Sequence, residues 1–271
     1  MYGTMAARKL VRGMETLPGL RQAGAALYEQ RFARAENANL FRGVYRDYAS
    51  ALASAPATKP QGYDHDEPAA MYDWRRKMLS PSDYPALFWI SRLLDDGHRS
   101  VFDFGGHVGL LYYAFSRHMP MPADLRWTVC DVPAVCRRGE TLAEQSGAKA
   151  LRFTDRFGDC RGFDLLFASG SLQYLQPSLA EMLIEADVRP RHLLVNLTPM
   201  HERFDYWTLQ NISTAFCPYH IVVRERFIGA LTALGYRVVD HWINPDKHCL
   251  IPFHPDHSLS SYDGMLLSLP D

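Results

Sequence analysis

Val101-Phe102-Asp103-Phe104-Gly105-Gly106-His107-Val108-Gly109-Leu110-Leu111 is a short apolar run that ends in an acid, crosses a cluster of glycines and opens onto a helical pattern. The run predicts a strand, the glycines a tight turn and the leucines a helix start. In an open parallel sheet this corner is where a nucleotide-like ligand is received. Gly105 and Gly106 permit backbone geometry closed to other residues and let a ligand lie against the main chain. Asp103 is then expected at the strand's carboxyl end, facing the crevice.

Further parts follow in order along the chain. Trp127-Thr128-Val129-Cys130 reads as a second strand, ended by Asp131 at a separation from the glycines that suits a carboxylate accepting both hydroxyls of a ribose. Val132-Pro133 stiffens the loop before a helix over 134–145. Leu151-Arg152-Phe153 predicts a third strand, followed by Thr154 and Asp155. Phe163 to Ala168 predicts a fourth, running into Ser169-Gly170-Ser171-Leu172-Gln173-Tyr174. Leu193 to Asn196 is the fifth, and 236–240 and 264–269 are the sixth and seventh. Strands alternating with helices of this length predict an α/β fold, a parallel sheet wound on both sides.

A chain of 271 residues, 47% hydrophobic, supports one sizeable core with an appendage. A net charge of −1 offers no broad positive field, so nucleic acid is not expected as a partner. The odd number of cysteines, Cys130, Cys136, Cys160, Cys217 and Cys249, has no metal-type pairing and reads as reduced thiols of a cytoplasmic protein. No apolar run approaches the roughly 18 residues needed to span a bilayer, and Arg8, Lys9 and Arg12 are not followed by the apolar stretch of a secretion signal.

The first hundred residues differ in kind. Leu10, Met14 and Leu17 recur at helical spacing until Pro18-Gly19 breaks the pattern, and a second helix is expected from about 20 to 35. This basic arm reads as a solvated cap helix or a homodimer arm. Residues 51–61 read as a loop, Asp66-Glu67-Pro68 starts a helix carrying Met71, Tyr72 and Trp74, and Ser80-Pro81-Ser82-Asp83 starts another over 84–94.

The spacing Asp103, Gly105, His107, Gly109 resembles the acid-x-Gly-x-Gly-x-Gly signature of class I S-adenosylmethionine (SAM) dependent methyltransferases, with His107 at the middle glycine. Asp131-Val132-Pro133 resembles the Asp-Leu-Pro of small-molecule O-methyltransferases. Phe41-Arg42-Gly43-Val44-Tyr45, Gly62-Tyr63-Asp64, Ser169 to Leu175, Thr208-Leu209-Gln210-Asn211-Ile212, Cys217-Pro218-Tyr219 and Ile251 to Pro255 extend the likeness over roughly residues 40–271. Together they resemble one bacterial family of class I methyltransferases, members of which accompany natural-product or polysaccharide gene sets. The resemblance implies a Rossmann-like, seven-stranded, mostly parallel sheet with helices on both faces. It implies an N-terminal helical arm and lid over 1–95 and a SAM-binding catalytic domain over 96–271. Asp103, Gly105, Gly106, His107 and Gly109 would then shape the methionine side of SAM, Asp131 and Val132 the ribose, Asp155 the adenine, and Ser169, Gly170, Ser171 and Gln173 the floor beneath the sulfonium. Phe41, Tyr45, Tyr63 and Tyr72 are the lid aromatics expected to close the pocket.

Methyl transfer from an activated sulfonium needs in-line positioning more than strong acid or base help. An oxygen acceptor of high pKa would still need a base, for which His201 ranks ahead of His220 and His241. Gln210, Asn211 and Tyr219 are candidates to bind a polar small-molecule acceptor. His248, His254 and His257 show no ligand spacing, and no metal site is expected. A second reading needs no acceptor: Tyr174, Asn196 and Thr198 would hold SAM's own amine over its γ-carbon, closing azetidine-2-carboxylate and releasing methylthioadenosine. A third is a non-catalytic SAM-fold binding subunit, suggested by the missing middle glycine.

Overall fold

Alternate residues of the central strands face opposite sides of one sheet, and both sides are covered. In the computed structural model, which describes residues 18–36, 39–62 and 73–270, that sheet has seven strands. In chain order the elements are α1 (Pro18–Arg34), β1 (Leu40–Tyr45), α2 (Tyr48–Ala53), α3 (Tyr84–Asp95), β2 (Ser100–Phe104), α4 (Leu110–Phe115), β3 (Arg126–Cys130), α5 (Pro133–Ser146), β4 (Leu151–Thr154), β5 (Leu165–Ser169), α6 (Leu179–Glu185), β6 (His192–Thr198), β7 (Met200–His201), β8 (Tyr206–Asn211), β9 (Phe216–Val223), α7 (Arg224–Thr232), β10 (Arg237–Asn244) and β11 (Tyr262–Ser268).

The main sheet runs β10-β11-β6-β5-β2-β3-β4, parallel except for β11, which is antiparallel to both neighbours. Val101, Trp127, Val129, Leu165, Phe167 and Leu194 pack on one face with α3 and α4. Phe102, Cys130, Leu166, Ala168, Leu193 and Val195 pack on the other with α6 and α7. Burial on both faces is what a parallel sheet with crossover helices requires. This is the Rossmann-like, seven-stranded arrangement expected from the sequence. Successive strands step one way from β2 to β3 and β4 and the other way to β5 and β6. The order therefore reverses between β2 and β5, and a crevice opens beyond their carboxyl ends.

A second sheet, β1-β8-β9-β7, was not expected. β8 and β9 form an antiparallel hairpin inserted after β6, and β1 from the N-terminal segment adds to its edge with Phe41 opposite Gln210. Pro218 sits within β9 without breaking it. β9 pairs with β7 only at Val222 and Val223, so among the described residues no strand pairs with Pro218 on the side where its N–H is missing.

Two expectations for the N-terminal region change. Pro18 lies within the described helix, Pro18–Arg34, rather than ahead of it. The segment is not helical throughout, since β1 lies within it, and Ile90, Leu93 and Leu94 of α3 pack in the same core as Val101 and Trp127. Residues 1–17 and 63–72, with Tyr63, Tyr72 and the helix expected from Asp66, lie outside the described residues.

Candidate functional site

One cavity of about 2250 Å³ occupies the crevice beyond β2, β3 and β5 and extends under the second sheet. Asp103, Gly105, Gly106, His107, Asp131, Val132, Asp155, Ser169, Gly170, Ser171, Gln173 and Tyr174 line it, together with Gln210 and Tyr219. Gly109 lies behind the turn as the residue preceding α4, in the left-handed region at φ 84°.

Local chemistry explains the shape of the turn. A Cβ on Gly106 would lie 2.4 Å from the Asp103 carboxyl carbon, and one on Gly105 would lie 2.3 Å from the Ser171 Cβ. Only glycine lets the main chain pass between these two side chains. The Ser171 hydroxyl donates to the Phe104 carbonyl at 2.7 Å, tying the loop after β5 to the end of β2. His107 adopts φ 57°, so the loop keeps glycine-like geometry at the departure from the motif.

Asp131 braces the turn from the next strand. Its carboxylate accepts from the His107 N–H at 2.9 Å and from the Val132 N–H at 2.8 Å. Asp103, 1% exposed, accepts from the Trp127 indole N–H at 3.0 Å. Burial pushes its carboxyl up to about 7; the indole hydrogen bond works against this, and the nearby Asp131 charge adds to it.

Strain gathers at this cavity. Among the described residues, His107, Leu197 and Phe253 are three of the five non-glycine positions with positive φ, and all three line it. For Leu and Phe such geometry costs of order 1–3 kcal/mol and persists only where the surroundings impose it.

Several expected residues sit elsewhere. Asn196 is fully buried and does not line the cavity: its amide donates to the Ser82 carbonyl at 2.8 Å and accepts from Trp242 at 3.1 Å and Asn244 at 3.0 Å. Thr198 is likewise buried within β6 and outside the lining. His201 is outside too. Its Nδ1 accepts from the Arg203 and Phe204 N–H groups and its Nε2 faces the Asp256 carbonyl at 3.0 Å, which fixes a neutral tautomer with no lone pair left for a substrate proton. His220 pairs with Asp205 and His241 with Asp263, neither in the lining. Tyr45 packs behind the second sheet with Phe32 and Leu209, and Asn211 donates to the Phe32 carbonyl.

The cavity also contains residues that sequence reasoning missed, among them Tyr28, Leu197, Phe253 and Tyr262. The aromatic, β-branched runs 206–212 and 216–223, three residues apart, carry a hairpin signal that would have revealed the second sheet. Phe253 lies in the Ile251–Pro255 segment of the resemblance, but no local pattern assigns it to the cavity. Among the described residues no group of three or more His, Cys, Asp or Glu is placed to hold a metal ion, and no helix is long and apolar enough to cross a membrane.

No family model and no curated protein matches the sequence. Solved structures with a similar chain path include the mitomycin 7-O-methyltransferase MmcR, 18% identical with a TM-score of 0.45 over 69% of this chain and 54% of that one. An S-adenosylmethionine-dependent methyltransferase from Clostridium acetobutylicum is 11% identical, with a TM-score of 0.49 over 76% and 98% of the two chains. The S-adenosylmethionine-dependent methyltransferase SibL is 19% identical, with a TM-score of 0.47 over 91% and 70%. The chain thus spans about half the length of MmcR.

Proposed function

We propose that this chain is a SAM-dependent methyltransferase acting on a small molecule. The observation that carries the reading is a single cavity at the sheet's switch point that combines the braced glycine turn and Asp131 with a second, aromatic compartment. Drug-sized ligands occupy roughly 300–1,000 Å³. At about 2250 Å³ the cavity has space for a methyl donor and a separate acceptor.

The residues present fit SAM. Gly105 and Gly106 let the main chain pass between Asp103 and Ser171 along the cavity, the Asp131 carboxylate lines the same cavity at the ribose position, and the buried Gln173 side-chain oxygen has no hydrogen-bond partner among the described residues. SAM would supply an activated methyl group there. The protein's part is to hold donor and acceptor in line and to exclude water, which is the main requirement of such a displacement. With His201 committed to backbone groups, no base is assigned.

The ring-closing reading has less support, since of Tyr174, Asn196 and Thr198 only Tyr174 lines the cavity. The non-catalytic reading rested on His107, whose backbone keeps the turn intact.

Calorimetry with S-adenosylhomocysteine tests the site. Wild type should bind, and Asp131→Ala should bind more weakly by about 1.5–3 kcal/mol, the worth of charge-assisted hydrogen bonds. Absence of binding by folded wild type refutes the reading. Mass spectrometry after incubation with SAM alone separates the reactions, since methylthioadenosine formed without an acceptor would make ring closure the activity.

A further inference from the structure

The wall that the second sheet presents to the cavity is apolar apart from one amide, with Leu40 beside two aromatic rings. Phe41, Gln210 and Tyr219 come from β1, β8 and β9 and line the cavity together. Tyr219 packs edge-on to Phe41, with ring centroids 5.0 Å apart, and to Tyr174 at 5.4 Å. Its hydroxyl donates to the Tyr262 hydroxyl at 2.8 Å, and the Tyr28 hydroxyl donates to the Phe41 carbonyl at 2.7 Å. Both tyrosines therefore give the cavity aromatic surface, with their donors already engaged.

Gln210 breaks this apolar wall. It is 4% exposed, and its side-chain N–H₂ donates to the Asn39 side-chain oxygen at 2.7 Å. In this arrangement the Oε1 is buried with no hydrogen-bond partner among the described residues. Folded proteins rarely leave a buried acceptor unmet, and a persistent exception calls for an explanation such as a ligand. The acceptor compartment thus combines aromatic surface with one buried side-chain oxygen that no described residue meets.

We propose that Gln210 selects the methyl acceptor, accepting a hydrogen bond from an O–H or N–H group carried on a planar, apolar ring system. This rests on the methyltransferase reading for the role of the ligand, while the binding preference rests on Gln210 alone. A site built to pair with a donor discriminates strongly against an analogue lacking it, because the protein's polar group is otherwise left buried and unpaired.

The test uses 1-naphthol and 1-fluoronaphthalene, matched in shape and differing in the donor, titrated into the full chain with and without S-adenosylhomocysteine. Wild type should bind 1-naphthol roughly tenfold or more tighter than the fluoro compound. Gln210→Leu, which keeps the bulk and removes the orphaned oxygen, should bring the two within about twofold and leave S-adenosylhomocysteine affinity unchanged. Equal binding of the two probes by wild type overturns the proposal whatever the variant does, and so does discrimination that persists in Gln210→Leu. Loss of S-adenosylhomocysteine binding by wild type overturns the methyltransferase reading instead, and the naphthalene pair still decides Gln210.

Discussion

Replacing Gly106 with alanine isolates the contact on which the turn depends. Gly106 has no positive φ, so alanine meets no backbone penalty and the effect is steric. The new Cβ would stand 2.4 Å from one Asp103 carboxylate oxygen and 2.7 Å from the other, well inside van der Waals contact. Asp103 has nowhere to go: it is 1% exposed and held by Trp127, which is itself fully buried against Tyr112 and Phe167. Either the turn moves or Asp103 rotates and orphans the indole N–H. Overpacking of this kind costs about 1–3 kcal/mol, and an orphaned buried donor about 1–3 kcal/mol more. The sum, about 2–6 kcal/mol, corresponds to a melting temperature lower by roughly 4–24 °C for a chain of this size. Because the same turn presents the His107 N–H to Asp131, S-adenosylhomocysteine affinity should fall as well. Calorimetric melting of Gly106→Ala, Asp103→Ala and the double variant checks the mechanism, since removing the carboxyl should relieve the clash and make the pair non-additive by at least about 1 kcal/mol. A melting temperature within about 2 °C of wild type, or strict additivity, would refute the reasoning.

Two buried groups make stability depend on pH with opposite signs. Asp103, raised from 3.8 to about 7, binds more protons folded than unfolded, so its contribution is complete below about 3.8 and is lost as pH rises toward 7; Asp103→Asn should remove that slope in melting temperature. His192 is buried beside His98, with Nε2 atoms 3.0 Å apart, and is lowered by burial from 6.5 to about 4; its contribution is complete above about 6.5 and is lost as pH falls toward 4, a slope that His192→Gln should flatten. Asn196→Leu leaves the Ser82 carbonyl and the Trp242 and Asn244 donors unpaired, so chemical denaturation should show a loss of about 2–5 kcal/mol, whereas a stable but inactive variant would restore Asn196 to the site.

Seven strands of the main sheet, the glycine turn and the acid at the end of the second strand were legible because each is written in local pattern. Apolar runs of four to six residues between turn signals specify buried strands, and a glycine cluster after such a run specifies the corner. The surroundings of Asn196 and His201 were not legible, for a different reason. Asn196 and His201 were placed by their nearness to a strand end, but nearness along the chain does not say which way a side chain turns or which buried groups claim it. Ser82, Trp242 and Asn244 claim Asn196 from 114, 46 and 48 residues away.

By itself, then, the sequence determined the α/β alternation and the residues around Asp103 and Asp131, because strand period and glycine geometry act within a few residues of one another. Only the tertiary structure decided that β1 from the N-terminal segment closes a second sheet over the cavity, that Phe253 and Tyr28 meet there, and that Gln210 keeps an unmet oxygen. These depend on contacts between segments more than a hundred residues apart, such as Gln210 with Asn39, and on which hydrogen-bond partners remain once every other group has been satisfied.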